Sequence, residues 1–223
     1  MRSITYISDS IKSPFHELNE DKILIIDDDQ YSLFFLFDGV GSAKNALEAI
    51  NIAARFISKS YKEYENGDKF KLSKLMFNVH NEIMRSKFTE ALSTYVAMFI
   101  PHKDDQEVSV SSLGDSRIYS VSNQYILQQT DDDNFSGVEN VITKCLGMLR
   151  LCKEDFIQID FFPRERRFLL VSDGFYKLMD KSIKVFHETM NFSRLTNTKK
   201  ALYKNIINKN TDDASYILVK LYV

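Results

Sequence analysis

Two aspartates stand at the ends of apolar runs, each followed by glycine. Tyr31-Ser-Leu-Phe-Phe-Leu-Phe37 stops at Asp38-Gly39-Val40-Gly41, and Arg167-Phe-Leu-Leu-Val171-Ser172 stops at Asp173-Gly174. A buried strand is a rigid support, so each run delivers one carboxylate to its C-terminal end, and the glycine lets the backbone turn. Two carboxylates held side by side on a sheet suit a divalent metal. Hard cations such as Mg²⁺ and Mn²⁺ take oxygen ligands, usually several carboxylates plus waters.

Other acidic residues also fall where strands start or end. Asn19-Glu20-Asp21 precedes the run Lys22 to Ile26, Gly114-Asp115-Ser116-Arg117 joins two strands, and Asp212-Asp213-Ala214-Ser215 leads into the last one. The six carboxylates Glu20, Asp21, Asp38, Asp115, Asp173 and Asp212 thus come from five places in the chain. Zinc would want histidine or cysteine, and His16, His80, His102 and His187 form no cluster. The triplets Asp27-Asp28-Asp29 and Asp131-Asp132-Asp133 read as a solvated hairpin turn and a solvated loop, because turns favour aspartate.

Stepping outward, the elements that carry these residues are legible in the hydrophobic pattern. Strands are expected over 4–8, 22–26, 31–37, 94–100, 108–113, 117–121, 125–127, 157–161, 167–172 and 216–223. Ala46, Ile50, Ala53, Ile57 and Tyr61 recur at helical spacing, as do Leu72, Leu75, Met76, Val79 and Ile83. Helical patterns return over 175–179, 183–190 and 195–207. Strands and helices come in segregated runs, which fits an α+β domain better than a βαβ repeat.

The 223 residues fit one domain, 1–223, with a core of useful size. A net charge of −2 gives no general reason to expect nucleic acid or an anionic membrane as partner. No apolar run reaches the length of a membrane span, and the N-terminus lacks the apolar core of a signal peptide. Cys145 and Cys152 have no metal spacing, so a reduced, cytoplasmic setting is expected.

The order Asn-Glu-Asp, Asp-Gly-x-Gly, Gly-Asp-Ser-Arg, Ser-Asp-Gly, Asp-Asp-x-Ser resembles the metal-dependent phosphatases of the protein phosphatase 2C family. The likeness runs from Ser8 to Val223. Val141-Ile-Thr-Lys-Cys-Leu-Gly147 and Leu92-Ser-Thr-Tyr-Val-Ala97 echo further segments of that family. The resemblance implies a central antiparallel β-sandwich flanked by helices on both faces, with metals in a cleft at one end. It implies that Asp38 bridges two core Mn²⁺ or Mg²⁺ ions, that the Gly39 carbonyl binds one, and that Asp173 and Asp212 bind the other. Glu20 and Asp21 act close by through waters, and Asp115 with Asp173 holds a third ion. It further implies hydrolysis of phosphoserine or phosphothreonine on a protein by a hydroxide bridging the two ions. The partner would be a phosphoprotein opposed to a serine/threonine kinase, with the enzyme a monomer.

The chain departs from that family in several places, among them Ser42 for a common second glycine and Leu92-Ser93 for methionine-glycine. His16 stands three residues before Asn19, where an arginine usually grips the substrate phosphate, so His16 is the expected phosphate contact. Val40 occupies a place where some members carry a histidine. Between Arg117 and Gly147 the family inserts a flap over the cleft, and here 130–140 is all that remains, so the flap is read as nearly absent. The alternative reading is a catalytically weak relative that serves as a regulatory or protein-binding module.

Overall fold

The computed structural model describes residues 1–66, 69–135 and 141–222. In chain order it has β1 (Ser3–Ile11), β2 (Asp21–Asp27), β3 (Tyr31–Gly39), α1 (Ala46–Ser60), β4 (Glu65–Asn66), β5 (Lys69–Phe70), α2 (Leu72–Arg85), β6 (Ser93–Pro101), β7 (Val108–Leu113) and β8 (Arg117–Val121). It continues with β9 (Ile126–Gln128), β10 (Ile159–Phe161), β11 (Arg167–Val171), α3 (Asp173–Lys181), α4 (Ile183–Met190), α5 (Leu195–Ile206) and β12 (Ala214–Tyr222).

Ten strands form two five-stranded sheets, ordered β1-β12-β11-β8-β9 and β10-β7-β6-β3-β2, with every pairing antiparallel. The expected antiparallel α+β sandwich is therefore observed. The small β4–β5 pair was not anticipated, because two-residue strands leave no periodic signal.

Strand alternation explains the layering. On β3, Phe34 and Leu36 point between the sheets, while Leu33, Phe35 and Phe37 point outward under α1 and α2. On β12, Ile217, Val219 and Leu221 point between the sheets, while Tyr216 and Leu218 lie under α3, α4 and α5. Both faces of these strands are covered, which is why their sequences read as nearly unbroken apolar runs. Helices thus cap both outer faces, and three apolar layers follow.

The rows between the sheets turn polar at one end. Phe34 and Leu36 are succeeded on the same face by Asp38, and Ile25 and Ile23 by Asp21. Phe168 and Leu170 are succeeded by Ser172, and Val219 and Ile217 by Ser215 and Asp213. The interior of the sandwich therefore opens at one end onto an acidic cluster.

On either side of 136–140, Asn134 bridges Ile142 and the Phe135 amide donates to the Val141 carbonyl at 2.8 Å. The reading of a nearly absent flap falls partly on 136–140, which lie outside the described residues.

Candidate metal centre

Asp21 and Asp38 are direct partners in the β2–β3 ladder. Like charges placed directly opposite are destabilising, and these two are also partly buried. Burial and then Asp21, Asp173, Asp115 and Asp212 push the Asp38 carboxyl well above the ordinary carboxylate range. Asp21 is likewise raised well above it, first by burial, although hydroxyl bonds from Ser215 and Ser172 oppose the shift.

Ser172 ties the two sheets together here. Its Oγ donates to Asp21 Oδ2 at 2.9 Å and accepts the Ser215 amide at 2.9 Å. Asp173 then opens α3 instead of ending β11, so the second strand does not finish in an Asp-Gly turn as expected. The Asp173 amide approaches Asp38 Oδ2 at 3.5 Å, and the positive end of the helix faces that carboxylate. Gly174 is helical for steric reasons. A Cβ there would lie 2.2 Å from the Asp213 carbonyl oxygen.

Gly39 also makes no turn. It is the last residue of β3, and a Cβ would meet Ala46 Cβ at 2.9 Å and the Glu20 carbonyl oxygen at 3.0 Å. Its amide donates to that Glu20 carbonyl at 2.9 Å. The turn glycine of the site is Gly114, at φ 100°, which sets Asp115 between β7 and β8. Asp115 is 3% exposed, and burial followed by Asp173 pushes its carboxyl up to about 6, with Lys177 opposing.

Asp212 and Glu20 complete the group. Burial and then Asp173 raise Asp212, while burial and then Asp213 raise Glu20. His16 turns its Nδ1 toward two of these acids, 3.3 Å from Asp213 Oδ2 and 3.7 Å from Asp212 Oδ1. Asp38, Asp21, Asp173, Asp115 and Asp212 therefore converge, and Glu20 lies nearer His16 and Asp213. Among the described residues, His16, Asp212 and Asp213 are the trio whose ligand atoms all fall within 4.8 Å of one another.

Two contributors escaped the sequence reading. Asp213 is 3% exposed and accepts the Ser13 and Glu20 amides at 2.7 Å each, so it fixes the loop that presents Glu20. Its signal was its place inside the Asp-Asp-x-Ser motif. Lys177 bonds Asp173 Oδ2 at 2.6 Å, an i,i+4 pair on α3 that helical spacing could have flagged. The Asp131 to Asp133 triplet is not simply solvated. Arg117 grips Asp132 in a two-pronged pair with Nη2–Oδ2 at 2.7 Å, and Asp133 accepts the Gly114 amide at 3.0 Å.

Seven carboxylates face one lysine and one histidine at this end of the sandwich. Oxygen donors in excess, partly buried and mutually repelling, are the donor set of a hard divalent cation. The residues present fit Mg²⁺ or Mn²⁺.

An antiparallel α-β-β-α sandwich with an acidic metal centre at one end of the gap between its sheets is the architecture of a metallophosphatase. The protein phosphatase 2C family model matches residues 16–206, so the chain belongs to that family and is an enzyme of the protein serine/threonine phosphatase class. The fold agrees with solved structures. The catalytic domain of the serine/threonine phosphatase PstP in complex with two manganese ions superposes with a TM-score of 0.76 at 16% identity, covering 100% of both chains. The phosphatase Stp1 from Staphylococcus aureus gives 0.72 at 19% identity, covering 100% of this chain and 96% of that one. RsbX in complex with magnesium gives 0.71 at 14% identity, over 98% and 96%. No curated protein sequence matches the chain. No described helix is long and apolar enough to cross a membrane.

Proposed function

We propose that residues 1–223 act as one phosphatase domain that hydrolyses phosphoserine and phosphothreonine on proteins with two Mn²⁺ or Mg²⁺ ions. The observation that carries this reading is the convergence of Asp38 with Asp21, Asp173, Asp115 and Asp212. Asp38 would be shared between the two ions, with the Gly39 carbonyl on one and Asp173 and Asp212 on the other. Glu20 and Asp21 would contribute through waters, and Asp115 with Asp173 would attract a third ion.

Bound there, the ions would make water a nucleophile at neutral pH and offset charge on the phosphoryl oxygens. The chain supplies the rest by positioning. Ser172 and the α3 N-terminus, reaching from the opposite sheet, fix Asp21 and Asp38 where they face each other. Asp213 anchors the backbone of Glu20, and Lys177 neutralises part of the charge on Asp173. His16, held toward Asp213, would meet the substrate phosphate with its other ring nitrogen. Among the described residues Nε2 makes no hydrogen bond that would occupy it. No cysteine nucleophile is needed, and burial raises the Cys145 thiol to about 12, where it is inert.

The substrate would be a separate phosphoprotein, opposed to a serine/threonine kinase, and the enzyme a cytoplasmic monomer. Manganese-dependent hydrolysis of p-nitrophenyl phosphate and of phosphothreonine peptides tests the reading. Activity lost in Asp38→Ala supports it, whereas wild-type protein inert at saturating Mn²⁺ would favour a regulatory module instead.

A further inference from the structure

At the other end of the first sheet, Arg167 and Lys220 are direct partners in the β11–β12 ladder. They end the helix-facing rows that begin with Val171 and Leu169, and with Tyr216 and Leu218. Two cations thus stand opposite each other where a further apolar pair would be expected, an arrangement that costs stability.

Neither cation is neutralised among the described residues. Lys220 is only 6% exposed, and its Nζ donates to one neutral acceptor, the Phe192 carbonyl at 2.9 Å. Arg167 is engaged through Nη1 alone, by the side-chain oxygens of Asn123, at 3.0 Å, and Asn191. Burial and then Arg167 push the Lys220 ammonium down. Thr5 is the partner of Lys220 on its other side, and its buried Oγ1 has no hydrogen-bond partner.

Arg167, Lys220 and Asn123 border an open cavity of ≈ 480 Å³ that Arg164 and Arg166 also line. Among the described lining residues the one carboxylate is that of Glu165, whose Oε1 accepts the Tyr125 hydroxyl at 2.7 Å. Phe192 adds an aromatic wall. The volume is that of a small-molecule site. Eight residues along the chain separate Lys220 from Asp212, about 26 Å at ~3.3 Å per residue, so this cavity and the acidic centre are distinct.

We infer that this cavity is an anion site that takes the phosphate groups of a small polyphosphorylated molecule. Guanidinium groups suit phosphate because their donors match its oxygens in pairs, and a buried ammonium adds an unscreened charge. Such a ligand would remove the repulsion between Arg167 and Lys220 and supply acceptors to their spare donors. The site lies outside the phosphatase reading and does not depend on it.

Calorimetric titration of pyrophosphate, tripolyphosphate and ATP into the protein in excess EDTA tests the inference, since chelation keeps phosphate from metal at the acidic centre. One binding site is expected. Arg164→Glu with Arg166→Glu, and separately Lys220→Met, should each weaken it by about tenfold or more, while Asp38→Ala leaves it unchanged. ATP binding more tightly than tripolyphosphate identifies a nucleotide with its base on Phe192. Equal binding identifies the phosphates alone. Lys220→Met should also raise the melting temperature without ligand and shrink the ligand-induced rise. If it fails to fold, the surface arginine variant decides. No binding up to about 10 mM, or binding lost in Asp38→Ala and kept in the arginine variant, overturns the inference.

Discussion

Asp21 and Asp38 face each other across the β2–β3 ladder, and the Ser172 hydroxyl from the opposite sheet reaches Asp21 at 2.9 Å. A sandwich interior that is apolar along its length ends, at this rung, in paired carboxylates. Folding must bring these charges together with only partial relief from Lys177. A divalent ion relieves what the fold imposes, and that tension underlies the predictions.

Asp38→Ala removes the central carboxylate. Manganese-dependent hydrolysis of p-nitrophenyl phosphate should fall by at least about 10²–10³-fold. The metal-free variant should melt higher than wild type, because a partly buried repelling charge is gone. A variant less stable than wild type in EDTA would show that the carboxylate is satisfied within the protein.

The metal-free protein should lose stability as pH rises. Asp115, at about 6 in the fold against ~3.9 in an unfolded chain, favours the folded state fully below about pH 4, and that contribution fades as pH passes 6. The loss is on the order of 3 kcal/mol, and Asp21 and Asp38, raised further, extend it upward. Ligands must deprotonate to bind metal, so the melting-temperature gain from Mn²⁺ should grow over the same range. Melting curves from pH 4.5 to 8 with and without Mn²⁺ read both trends, and a metal gain independent of pH would contradict them.

Gly174→Ala should damage both stability and the site. Its methyl would press on the Asp213 backbone, 2.2 Å away. Overpacking of this kind costs about 1–3 kcal/mol, a melting-temperature drop of roughly 2–4 °C per kcal/mol in a chain of this size. Metal affinity should fall too, because Asp213 anchors Glu20. Gly41→Ala is the control, since nothing lies within 4 Å of its added methyl.

His16→Ala should raise KM for a phosphopeptide several-fold with kcat nearly unchanged, as expected for loss of one charge-assisted contact. A drop in kcat with constant KM would assign His16 to the acidic centre alone, through its approach to Asp212 and Asp213.

The strands, the helices and the acidic motifs at strand ends were readable because alternation and helical spacing report burial directly. Strand parity carried more than was drawn from it. Phe34, Leu36 and Asp38 share a face by spacing alone, and so do Tyr216, Leu218 and Lys220. Gly39 and Gly174 look like turn makers in the sequence but are required by close contacts with Ala46 and Asp213, which local pattern does not show.

The sequence by itself determined which residues sit at strand ends and which faces are apolar, since those are properties of local period. Only the tertiary structure decided how the ends meet. Two sheets packed face to face set Ser172 against Asp21 and α3 against Asp38, and they leave Lys220 opposite Arg167 at the far end. Charges that are unremarkable along a chain of net charge −2 become two opposed clusters once strand register fixes their neighbours.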